Sequence, residues 1–208
     1  MRPPPPAPVL LPLVLAVPGL VLGVSGLLHP HTLVPSTAER WYLLHVAGLI
    51  FFPLVGVAFM VLVRGRQDPL AWLVRLTAFG YAVFYTALDV VYGVAAGDVT
   101  RGMEEGYRRS ADFSAMLRVA VDLGEVGSWS LLACGVALSV DQLGRHRLGG
   151  VPALALLPGA WLVHTDHIFS PSGVVGMLLI GTATGLLARN LPATRGRSGA
   201  TLSASAAS

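Results

Sequence analysis

Six apolar runs separated by short polar or glycine–proline stretches constrain this chain more than any other feature. The first, Val9–Leu28, carries no charge at all. The second, Trp41–Val63, opens on Trp41 and Tyr42, an aromatic pair suited to a membrane–water interface. The third, Leu70–Ala96, is interrupted by Arg75 and Asp89, and the fourth, Met116–Val140, holds Arg118, Asp122 and Glu125 in its first half. Val151–Phe169 ends in polar residues, and only Ser170, Pro171 and Ser172 separate it from the glycine-rich Gly173–Ala188. A helix needs about 20 residues to cross a hydrocarbon core, so runs of this length predict membrane-spanning helices. The expected fold is an all-α polytopic integral membrane bundle of about six transmembrane helices.

Composition agrees. Only 12% of the residues are charged, against about 25% in a soluble domain, which leaves too little polar surface to cover a globule in water. A single transmembrane domain over 9–190 is expected, flanked by a proline-rich start (1–8) and a small-residue tail (191–208), both read as disordered.

All 14 basic residues are arginine, a bias that fits high-GC bacterial coding. They lie singly or in pairs between apolar runs, without the dense basic face that phosphate binding needs, so no nucleic-acid partner is expected. Counted over alternate loops, nine arginines fall on the side of the termini and five on the other, which predicts a plasma-membrane protein with both termini cytoplasmic. The single cysteine, Cys134, sits in an apolar run and reads as a small buried side chain. Gly19 with Gly23, and Gly181 with Gly185, form G-x-x-x-G faces suited to close helix packing, which could also serve an oligomer.

The ionisable residues within the spans carry the functional signal. With alternating helices, His45, Asp89, Asp122, Glu125, His164 and His167 all fall roughly 3–14 Å below the same membrane face, on the extracytoplasmic side. His29 and His31 stand at that level just beyond the first span, where they either face water or join the same site. Charged groups inside a bilayer are costly, so such residues are expected to face the bundle interior with partners. Asp122 and Glu125 are spaced i, i+3, as are His164 and His167, so on a continuous helix each pair shares a face.

Imidazole and carboxylate together bind Zn, Fe or Cu, and the lack of a second thiol argues against a thiolate site or an iron–sulfur cluster. The reading assigns His45, Asp89, His164 and His167 as metal ligands, with Zn the favoured ion, and Asp122 and Glu125 as catalytic acid–base groups. The H-T-D-H run and the spread of His and Asp over several helices are similar in kind to the intramembrane zinc hydrolases related to alkaline ceramidases and progestin-type receptors. The spacing here is H-x-x-H where those have H-x-x-x-H, and the helices number about six rather than seven. The expected function is therefore a metal-dependent membrane hydrolase acting on a small-molecule or lipid substrate. Two alternatives use the same residues: an ion transporter or proton relay, and an electron-transfer protein with histidines as axial haem ligands.

Overall fold

The computed structural model describes residues 9–192, so the expected disordered ends, apart from Leu191 and Pro192, lie outside the described residues. Among those described there is no strand. Helix α1 spans Leu10–Leu27, α2 Pro35–Leu62 and α3 Pro69–Leu88. The third helix widens into a π-helical stretch, Asp89–Ala95, before a short α4, Ala96–Arg101. Then come α5 (Ala111–His146), a 3-10 stretch (Arg147–Ala155), α6 (Leu156–Asp166) and α7 (Ser172–Leu187), which ends in a 3-10 turn, Ala188–Asn190.

Helix starts follow local chemistry. The Asp68 carboxylate accepts from the Ala71 amide at 3.1 Å, with Pro69 next in the chain, where a missing N–H costs nothing. Ser110 caps α5 in the same way by accepting from the Phe113 amide.

Five helical runs are long and apolar enough to cross a membrane: Leu10–Leu27, Pro35–Leu62, Pro69–Arg101, Ala111–Asp166 and Ser172–Asn190. The difference from six has a local cause. The expected fourth and fifth segments follow each other with no loop between them, in a stretch of 56 residues, Ala111–Asp166, made of α5, the 3-10 stretch and α6. That run turns back on itself at Arg147, where φ is +48°, and α6 packs against α5.

The helices close into a ring: α1 lies against α2 and α7, α2 against α3, α3 against α5, α5 against α6, and α6 against α7. The ring interior holds Phe52, Phe59, Tyr81, Tyr85, Leu131, Leu138 and Met177, while Leu13, Ile50, Leu76, Phe79 and Val140 face outward. Large apolar residues on both faces suit an apolar surrounding. The two G-x-x-x-G faces meet each other within the chain: a Cβ on Gly19 would lie 2.6 Å from the Gly181 amide nitrogen.

At the end of the bundle where α3 begins and α5 finishes, a charged clasp ties the loops. Asp141, whose side chain is 1% exposed, accepts from Arg66 at 2.6 Å and from Arg145 at 2.9 Å. Asp68 also pairs with Arg66, at 2.8 Å. Stripping the cation from a buried ion pair costs about 3–5 kcal/mol. Arg66→Ala leaves Arg145 on Asp141, so a smaller loss of about 1–3 kcal/mol is expected. Thermal unfolding in detergent would show it as a lowered Tm, and an unchanged Tm would make the clasp energetically idle.

Candidate metal centre

The opposite end of the bundle gathers three histidines from three places in the chain. His45 projects from the second turn of α2 that follows Trp41, His29 follows the end of α1, and His167 follows the end of α6. One ligand-capable atom from each lies within 4.8 Å of the others. Donors on one tetrahedral Zn are about 3.4 Å apart, so small side-chain rotations would bring these three onto an ion.

Each imidazole is held by one nitrogen. The Nδ1 of His29 donates to the Pro30 carbonyl at 2.7 Å, and the Nδ1 of His45 donates to the Trp41 carbonyl at 2.7 Å. A carbonyl can only accept, so in both rings Nδ1 carries the proton and Nε2 keeps a free lone pair. The Tyr85 hydroxyl holds the Nδ1 of His167 at 2.5 Å. Metal-ligating histidines are typically oriented in this manner, one nitrogen tied to the protein and the other offered to the ion. His29 and His45 are both 5% exposed, and the Nε2 of His29 is buried without a hydrogen-bond partner. Burial pushes the His29 imidazole down to about 4, which keeps it in the neutral, ligating form at neutral pH.

Aromatic packing fixes the ring planes. Trp41 stacks on His45 with centroids 5.0 Å apart, Tyr85 stacks on His167 at 5.3 Å, and Phe169 meets His29 edge-on at 4.8 Å. The His45 and His167 rings are nearly parallel, 6.2 Å apart.

Asp89 completes the constellation. It is 0% exposed, and neither carboxylate oxygen has a hydrogen-bond partner. Its Oδ1 lies 3.8 Å from His45 Nε2, too far for a hydrogen bond. A buried carboxylate without partners is expensive by several kcal/mol, and a cation held by the adjacent imidazoles would offset that cost.

The backbone makes room for this. Asp89 opens the π-helical stretch, and such widened turns often mark functional positions. Within it, Gly93 lies flat against His45: a Cβ there would sit 2.1 Å from His45 Cδ2. Gly48 does the same for Asp89, with a virtual Cβ 2.7 Å from Oδ2. The Trp41 indole N–H donates to the Tyr92 carbonyl of the same stretch at 3.2 Å, locking α2 to it.

Beside the histidines lies a cavity of about 670 Å³, lined among others by Trp41, His45, Tyr85, Glu125, His164 and His167.

The structure thus brings His45, Asp89 and His167 together and adds His29. His164 stands outside the cluster. Its Nδ1 is bonded to Ser128 Oγ at 2.8 Å, and its ring lies between Trp129 and Trp161, 4.5 and 5.6 Å away. The separation from His167 has a plain cause: α6 stops at Asp166, and His167 adopts φ +53°, so the i, i+3 geometry of a continuous helix does not apply.

Asp122 and Glu125 are exposed rather than inward-facing. The face that α5 turns inward is its small-residue stripe. A Cβ on Gly124 would strike the Leu88 side chain at 2.6 Å, and one on Gly127 the Tyr85 amide at 2.8 Å. That close packing against α3 leaves the acidic pair on the other side, where Glu125 lines the cavity and Asp122 lines a neighbouring groove.

His29 is the residue that the span analysis leaves out. Hydropathy places it beyond the first helix, and only Gly26 hints at the close approach that pulls it in: a Cβ there would meet the Ile168 carbonyl at 2.3 Å. No protein-family model, curated protein or solved structure matches the chain.

Proposed function

We propose that the protein is a multi-pass plasma-membrane enzyme of six spans with cytoplasmic termini, and that it is a metal-dependent hydrolase of the Zn type. The observation that carries this reading is the convergence of His29, His45 and His167 beside a buried, partnerless Asp89. Three imidazoles with an open fourth position are the ligand set of catalytic zinc, which lowers the pKa of a bound water to about 7. In this reading Asp89 is not a fourth ligand. A zinc ion held by the three imidazoles would supply a water of lowered pKa and polarise a carbonyl or phosphoryl group in the cavity, and Asp89, beside His45, would serve as the base that takes the proton. Tyr85 and the carbonyls of Pro30 and Trp41 set the orientation of the ligand rings. Glu125 and His164, on the cavity wall, are placed to serve the leaving group.

Cobalt substitution tests the reading. Protein purified in detergent and loaded with Co²⁺ is expected to show the visible bands of a four-coordinate ion. Those bands are expected to shift when a hydroxamate is added, because one position is open. Bands that ignore hydroxamate would mean a closed structural site and would sink the hydrolase assignment. No bands, together with pH-dependent flux in vesicles, would favour the proton relay through Asp89, Tyr85 and His167. A strong band in the protein as isolated would indicate haem.

A further inference from the structure

The metal reading leaves unused a second groove of about 600 Å³ on the outer side of α5, at the same end of the bundle as the histidines. Its polar lining is Arg109, Ser114, Arg118 and Asp122, with Tyr92 and Val121 on the wall. Tyr92, Arg109 and Val121 also line the cavity beside His45 and His167, so the two spaces share a wall.

The charges in this groove are unspent. Among the described residues no carboxylate lies within 4.0 Å of Arg109 or Arg118, and no cation within that distance of Asp122. Arg109 donates only to the Leu33 carbonyl, at 3.2 Å. Arg118 and Asp122 are spaced i, i+4 on α5 and yet do not pair. Around them the surface is apolar, with Val119 57% and Val121 51% exposed.

Two guanidinium groups, one carboxylate and an apolar flank form a specific pattern. A simple anion would satisfy the arginines and be repelled by Asp122. A simple cation would meet the reverse. A neutral lipid would leave all three charges unanswered. The group that matches all of them is a phosphodiester carrying a primary ammonium, attached to acyl chains.

We propose that this groove binds the headgroup of a membrane aminophospholipid, phosphate on Arg109 and Arg118 and ammonium on Asp122, with the acyl chains along the valine face. The lipid is the substrate class of the metal centre and enters sideways past Tyr92. Naming it as substrate rests on the hydrolase reading, whereas its binding does not.

The test is titration of short-chain phosphatidylethanolamine into chelator-treated protein in detergent, read as thermal stabilisation. Saturable stabilisation is expected. Arg109→Ala with Arg118→Ala should weaken it about 10-fold or more, since each removes a charge-assisted contact to phosphate. Asp122→Asn should erase the preference over phosphatidylglycerol. All three side chains are exposed, so the variants are expected to fold, and an unchanged Tm without lipid checks this.

Equal binding by the double arginine variant, or no preference for the ammonium headgroup, overturns the proposal. Glycerophosphoethanolamine, which lacks acyl chains, binding as tightly as the lipid would assign the groove to a soluble metabolite and overturn it equally. His45→Ala separates the two readings: lipid binding that persists without metal leaves this site standing even if the hydrolase assignment fails. Metal bound by the wild-type chain with no stabilisation by the lipid would sink the lipid site alone.

Discussion

Asp89→Asn is expected to abolish metal-dependent turnover and weaken metal retention about 10–100-fold, the range seen when a group supporting a metal site is removed. The same change should stabilise the metal-free protein. A buried carboxyl with both oxygens unpartnered must either hold a proton or sit beside a cation, so the metal-free chain carries a cost, about 1–3 kcal/mol for an unsatisfied buried group. Asparagine keeps the shape and discards the charge. Elemental analysis and thermal unfolding, each with and without chelator, read both effects. A variant that keeps its metal and loses stability would show Asp89 to be an ordinary structural acceptor.

Gly181→Val is expected to have the largest effect on the fold. A Cβ at this position would lie 2.7 Å from the Leu20 amide nitrogen and 2.9 Å from the Ala16 carbonyl oxygen. Both obstacles are backbone, so no rotamer change relieves them, and α1 must move away from α7. Overpacking typically costs about 1–3 kcal/mol and more where backbone must shift. Because His29 follows the end of α1 closely, the displacement should also disturb the histidine cluster. Reduced yield of folded protein in detergent and a lowered Tm are the expected readouts. A variant with wild-type Tm would mean that the two helices have slack between them.

Much of the architecture is legible in the amino-acid order, because apolar runs of helix length have few alternatives. The short linker Ser170–Ser172 correctly suggests a tight connection between α6 and α7, and the paired glycine motifs foreshadow their mutual contact. The helix count is harder: the chain reverses at Arg147, where φ is +48°, and a 3-10 stretch follows at once, so no loop separates the two limbs that the hydropathy divides.

The site is legible in depth but not in direction. Depth along a helix follows from counting residues, and it brings His45, Asp89 and His167 to one level. Rotation about the helix axis depends on which face packs, and in α5 that is the glycine stripe Gly124–Gly127 and not the acidic pair. His164 stands outside the histidine cluster and His29 joins it for a similar reason. The first lies on a helix that ends before its partner histidine, and the second lies beyond a helix that hydropathy treats as finished. Neither helix terminus can be located to one residue from composition.

The most direct test of the metal centre is elemental analysis of gently purified protein, comparing the wild-type chain with His29→Ala and His164→Ala. The account predicts about one equivalent of a divalent metal, Zn foremost, in the wild type and in His164→Ala, and little in His29→Ala, which lacks one of three ligands. A wild-type chain without metal, or metal lost from His164→Ala and kept in His29→Ala, would contradict it.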